Sequence, residues 1–174
     1  AMGQNENHLP TPQTGELDHA LAVRPRADLT AIVVFRVGGT WFGATADSVE
    51  EVLSGVAPMP IPLAPPHVSG VFPWRSNGLA LVDLKGFFAL QDDPSRPPAG
   101  EEILGRVVVV VADGIRAGIR CDQVEGVSEI PAAAFRSERC GTGRVRELCC
   151  DEVLQHERLI LVLNLAALLG AARP

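Results

Sequence analysis

Apolar residues along this chain fall in short runs broken by glycine, proline and acidic residues, and most runs lack the period of a long helix. The first run, Ala31-Ile-Val-Val-Phe-Arg-Val37, is rich in β-branched residues and predicts a strand. Gly38-Gly39 predicts a tight turn, because glycine adopts positive φ without steric cost, and Thr40–Thr45 returns as a second strand. Asp47 is placed to cap a brief helical turn through Val49, after which Glu51–Val56 extends again. Pro58, Pro60, Pro62, Pro65 and Pro66 remove backbone donors and predict a rigid extended connection. Gly70–Arg75 and Leu79–Asp83 read as strands joined at Asn77-Gly78. Asp83 stands where an N-cap is needed for a short helix carrying Leu84, Phe87 and Phe88.

Gln91 to Glu102 is polar and proline-rich, a linker in mid-chain. Arg106–Ala112 and Arg116–Cys121 then form a second predicted hairpin around Asp113-Gly114, and Gly126–Ile130 extends once more. Residues 131–157 show no clean period. Arg158–Leu163 reads as a strand, and Asn164 caps a last helix reaching about Ala172. Residues 1–29, polar and aperiodic, are expected to be a mobile tail. The ordered domain is expected over 30–169, with 170–174 as a C-terminal tail.

The two halves of that domain, about 30–90 and 105–169, echo each other. Asp47-Ser-Val49-Glu50-Glu-Val52 follows one glycine hairpin as Asp122-Gln-Val124-Glu125-Gly-Val127 follows the other, with Gly39 matching Gly114 and Gly43 matching Gly118. Leu81-Val82-Asp83-Leu84 answers Val162-Leu163-Asn164-Leu165. Each half is too small to close a generous core alone, so the two are expected to bury apolar faces against each other. Short strands kinked by glycine favour a mostly β fold of two small barrels, with short helices, over one flat sheet.

Composition narrows the function classes. In 174 residues, 47% hydrophobic and 21% charged, a folded globule is expected. The net charge is −6 and no Lys/Arg stripe is interleaved with aromatics, which argues against nucleic acid. The longest apolar runs, Val107–Ala112 and Leu159–Leu163, fall short of the ~18 residues a spanning helix needs, so direct membrane insertion is not expected. The N-terminus lacks a signal-peptide layout, and Ala1-Met2-Gly3 reads as an expression scar. A cytoplasmic protein with reduced thiols is the simplest expectation.

Catalytic chemistry finds little support. Cys140, Cys149, Cys150 and His156 lack the paired Cys-x2–4-Cys spacing of a zinc site, so no metal is expected. His8, His19, His67 and His156 are scattered, with no nucleophile in an elbow or triad context. Gly141-Thr-Gly143 lacks the flanking strand and helix of a phosphate-cradling loop, and no cofactor is expected. Asp83 and Asp122 are better explained as acceptors for free backbone N–H groups than as paired acids. The chain is therefore not expected to be an enzyme.

Taken in order, the motifs resemble the CheW family, the coupling proteins of bacterial chemosensory arrays. They are the opening hairpin with Val49-Glu50-Glu51-Val52, the proline-rich approach to Val68-Ser-Gly70-Val71, and Arg75 eight residues before Asp83-Leu84. Gly118-Ile-Arg-Cys-Asp122-Gln-Val124 and the ending Leu159-Ile-Leu-Val-Leu-Asn-Leu165 complete the set. The resemblance runs from about Ala31 to Leu169. It implies two five-stranded Src-homology-3-like barrels side by side and no catalysis. The implied role is a scaffold joining a CheA-type histidine kinase, through its regulatory domain, to the cytoplasmic tips of chemoreceptors at the inner membrane face. Glu51 and Arg75 match family positions linked to partner binding. Departures are Pro73-Trp74-Arg75-Ser76 where Asn-Leu-Arg-Gly is usual, Ala80 where proline is common, Cys121 where valine is common, and no glycine-containing turn near Cys150-Asp151.

The candidate partner-binding residues are thus Glu51, Val52, Trp74 and Arg75. Arg75 is read either as a holder of a partner carboxylate or as a solvated arginine beside a turn. Trp74, beside prolines and a turn, is either an exposed anchor or a core residue with a satisfied N–H, whereas Trp41 reads as core. The alternative function is a small-ligand-binding barrel sensor, which requires a cavity with convergent polar groups.

Overall fold

The computed structural model describes residues 28–91, 105–139 and 141–173. The expected N-terminal tail and mid-chain linker therefore fall largely outside the described residues, although a strand already begins at Leu29. Strands β1 (Leu29–Val37) and β2 (Thr40–Thr45) form the first hairpin, and β3 (Val49–Leu53) follows a 3-10 turn over Ala46–Ser48. Strands β4 (Val68–Trp74) and β5 (Asn77–Asp83) lead into helix α1 (Leu84–Phe88). After the linker come β6 (Arg106–Ala112), β7 (Ile115–Cys121), β8 (Gln123–Pro131) and the two-residue β9 (Phe135–Arg136). Helix α2 (Arg144–Leu148), strands β10 (Cys149–Gln155) and β11 (Arg158–Leu163), and helix α3 (Leu165–Ala171) complete the chain. The last helix thus reaches past the expected domain limit at residue 169.

The fold is mostly β, in two sheets. Their orders are β8-β1-β2-β11-β10-β9 and β3-β6-β7-β5-β4. Each sheet takes strands from both sides of the linker. Hairpin β1–β2 sits among late strands, with β2 parallel to β11 and Gly43 opposite Val162. Hairpin β6–β7 sits among early strands, with β7 parallel to β5 and Gly118 opposite Leu81. The glycines and aliphatic pairs that echo in the sequence therefore occupy matching places in the two sheets. The first sheet has six strands rather than the expected five because the short β9 adds to β10.

Each sheet curls around an apolar interior. Ile32, Val34, Ile130, Val153, Ile160 and Val162 fill one, and Phe72, Trp74, Leu79, Leu81, Val107 and Val109 fill the other. The larger core lies between the sheets and includes Phe35, Phe42, Val108, Val110, Ile119, Leu163 and Leu168. Alternation explains the valine run of β6: Val107 and Val109 face the curl, Val108 and Val110 the opposite core. Gly118 allows the tight curl, because a Cβ there would lie 2.6 Å from both Phe72 and Val107.

Side-chain acceptors close the elements as expected for Asp83, Asn164 and Asp122. The Asp83 carboxylate accepts from Lys85 N–H at 2.9 Å and caps α1, while Asn164 Oδ1 accepts from Ala167 N–H at 3.1 Å and caps α3. Asp122 Oδ2 accepts from Gly38 N–H at 2.7 Å, tying β7 to the first hairpin turn.

Two expectations are corrected. The β4–β5 turn is Arg75-Ser76, not Asn77-Gly78: Trp74 pairs with Asn77 and Pro73 with Gly78, so Asn77-Gly78 open β5. This register sets Phe72 opposite Leu79, two interior residues, whereas a turn at Asn77-Gly78 would set Phe72 opposite Asp83, the carboxylate that caps α1. Asp47 does not cap the 3-10 turn; Thr45 holds that position, with no side-chain capping bond, and its hydroxyl bonds Ser48 at 2.9 Å. Residues 131–157, unreadable by period, contain β9, α2 and β10, each too short or too irregular to show a periodic face.

Candidate partner-binding site

Strands β3 and β4 are the two edges of the second sheet, and its curl brings them together. Glu51 stands on β3, one residue past a bulge in which Glu50 is the extra residue. Trp74 ends β4 and Arg75 begins the turn. Trp74 Nε1–H donates to Glu51 Oε2 at 2.8 Å, a side-chain bond across the seam. The Arg75 guanidinium lies 4.2 Å from the Trp74 ring centroid, and one of its nitrogens approaches Glu51 Oε2 at 3.9 Å. Glu50 turns to Arg116 instead, at 3.0 and 3.1 Å, so the two adjacent carboxylates take separate cations.

Three of the four sequence candidates thus form one cluster. Arg75 and Glu51 are its exposed part, with side chains 65% and 42% accessible. Val52, the next residue of the edge strand, is 43% exposed and pairs with Val108. Trp74 is not an exposed anchor. It is 6% exposed and belongs to the interior cluster, because the curl of the sheet folds its ring over Phe72 and Leu79 while its N–H finds Glu51.

Trp41, read as core, is only half-buried, with the Arg158 guanidinium 4.5 Å and that of Arg36 5.9 Å from its ring centroid. Arg158 also makes two bonds to Glu125, at 2.5 and 2.9 Å. Sequence reasoning passed over this second surface cluster. Its signal was the match between Glu50 and Glu125, each the extra residue of a bulge in an edge strand. The hydrogen bond from Arg158 holds the Glu125 carboxyl below its usual range.

Phe72, Leu81, Ile32 and Ile160 are fully buried within the curls. The hollow lined by Phe135, Arg136, Ser137 and Glu138 is a surface depression at the β9 edge. Among the described residues, no three His, Cys, Asp or Glu side chains converge as metal ligands. Cys121 is buried and its thiol donates to the Arg106 carbonyl at 3.4 Å; burial first, and then Asp122, push its pKa up to about 12. A thiol so placed is not a nucleophile at neutral pH.

Residues 31–173 match the CheW-like domain family. The chain is 30% identical over 161 residues to protein FrzA of Myxococcus xanthus, covering 90% of this chain and 94% of that protein. It is 26% identical over 141 residues to the chemotaxis protein CheW of Treponema pallidum, covering 80% and 82%. Its fold is similar to the crystal structure of the scaffolding protein TtCheW from Thermoanaerobacter tengcongensis, with a TM-score of 0.67 and 22% identity over 78% of this chain and 89% of that one.

Proposed function

The chain belongs to the CheW-like family, and from that premise we propose that it is a non-catalytic coupling protein joining a CheA-type histidine kinase to chemoreceptors. The observation that carries this reading for the site is the Glu51–Trp74–Arg75 cluster, a charged pair set on a buried aromatic where two sheet edges meet. Beside it, exposed Val52 supplies apolar surface on an edge strand. An apolar patch gives contact area while a few charges fix register and reject wrong partners. One barrel would receive the kinase's regulatory domain, and the helical tip of a receptor would lie near the junction of the two. Such a protein acts in the cytoplasm beneath a receptor array; among the described residues no helix is long and apolar enough to cross a membrane.

The test is titration of the chain with a cognate kinase regulatory domain and with a receptor cytoplasmic fragment. Arg75→Glu is expected to weaken binding of at least one partner about tenfold or more, because a like charge now faces the partner's complementary group. Glu51→Gln, which keeps an acceptor for the Trp74 N–H, should weaken binding with little loss of stability. Glu51→Arg should in addition destabilise the fold by about 1–3 kcal/mol, since the Trp74 donor loses its acceptor. Failure of the parent chain to bind either partner rejects the coupling role; unchanged binding by Arg75→Glu and Glu51→Gln removes these residues from the site.

A further inference from the structure

Trp74 is buried, yet both its N–H and one ring face serve the two charged residues above it. The N–H fixes Glu51 at 2.8 Å, and the ring carries the Arg75 guanidinium at 4.2 Å. Arg75 and Glu51 themselves meet only through one nitrogen at 3.9 Å, so Glu51 does not fill the guanidinium fork. A guanidinium has five N–H donors in one plane, two of which match the spacing of a carboxylate. With the guanidinium carbon over the indole and the Arg75 side chain 65% exposed, fork donors remain open to solvent. The backbone adds a second, independent sign. Arg75 holds φ at 52°, in the left-handed region that arginine rarely adopts and glycine adopts freely. Retaining a strained arginine at this turn places its side chain directly over the indole.

We infer that Trp74 is a positioning residue for partner recognition: it holds Glu51 aside and Arg75 flat, so that Arg75 presents its open fork to an Asp or Glu carboxylate of the partner. This rests on the coupling function proposed above and specifies the chemistry of its contact. The partner carboxylate accepts two parallel N–H···O bonds, a geometry a lysine ammonium cannot reproduce. A leucine at position 74 would keep an apolar, though smaller, side chain in the interior but supply neither an N–H nor a ring face. Arg75 would then lose its platform, and its rotamers would have to be ordered by the partner on binding.

The experiment uses the full chain, titrated calorimetrically with the cognate kinase regulatory domain and the receptor cytoplasmic fragment. Arg75→Lys, which keeps the charge but not the fork, is expected to weaken binding about tenfold. Trp74→Leu should do the same with the β-sheet circular dichroism unchanged, and should add no further loss when combined with Arg75→Glu. Trp74→Phe, which keeps a ring face and loses the N–H, carries the test if the leucine variant fails to fold, with about threefold weaker binding expected. Full affinity in a folded Trp74 variant, or losses for Trp74 and Arg75 that simply multiply, overturns the inference. Unchanged binding by Arg75→Glu overturns it together with the site; loss by Arg75→Glu with none by Arg75→Lys overturns the inference alone.

Discussion

At the scale of the residue, Glu125 shows how a surface group enters stability. Its folded carboxyl is held below the ordinary value of 4.5, first by the hydrogen bond from Arg158, against the cost of burial, and then by the charges of Arg158 and His156. A lowered folded pKa contributes stability that is complete above that ordinary value and lost as pH falls through the folded one. Glu125→Gln is therefore expected to melt below the parent at neutral pH, with the gap closing as pH falls below the ordinary carboxylate range. High salt should narrow the gap at neutral pH, because the pair is exposed; a constant gap across that range would show that the pair contributes nothing to the acid dependence. Trp74 carries the opposite lesson. Its position beside prolines and a turn left both an exposed anchor and a core residue open, because whether a ring at a strand end is covered depends on how the sheet curls. Glu51 and Arg75 were readable as a pair of candidates; that they share one indole was not, since they lie on opposite edges of a sheet.

At the scale of the element, the glycines of hairpins β1–β2 and β6–β7 permit the curl. A Cβ at Gly118 would lie 2.6 Å from Phe72 and Val107, and one at Gly43 would lie 3.1 Å from Ile32 and 3.3 Å from Ile160. Gly118→Ala is expected to cost about 1–3 kcal/mol by overpacking, and Gly43→Ala less, as measured by denaturant midpoints at constant slope. Equal, negligible costs would mean that the interiors have slack. Both glycines stood out in the sequence as an echo, but their reason lies in strands that approach from elsewhere in the chain. Strands with unbroken β-branched runs, Arg106–Ala112 above all, were readable to the residue because local propensity and burial agree there. The Arg75-Ser76 turn was not, because Asn77-Gly78 is the stronger local signal and the register that sets Phe72 opposite Leu79 outweighs it.

At the scale of the whole molecule, the exchange of hairpins between the two sheets makes the segments on either side of the linker interdependent. Without β6–β7, strand β3 loses its hydrogen-bonded neighbour and β5 loses its parallel partner. A fragment of residues 28–91 is therefore expected to lack stable β structure alone, and to regain it when mixed with 105–173, read by circular dichroism and co-elution. Independent folding of either fragment would refute that interdependence. Most of the strands, the caps at Asp83 and Asn164 and the mostly β character were determined by the sequence, because each follows from neighbours within a few residues. The tertiary structure alone decided which strands share a sheet, where the two edges of the second sheet meet, and hence that Glu51, Trp74 and Arg75 form one cluster. Those outcomes depend on long-range pairing and on the burial of two faces at once, which no local pattern encodes.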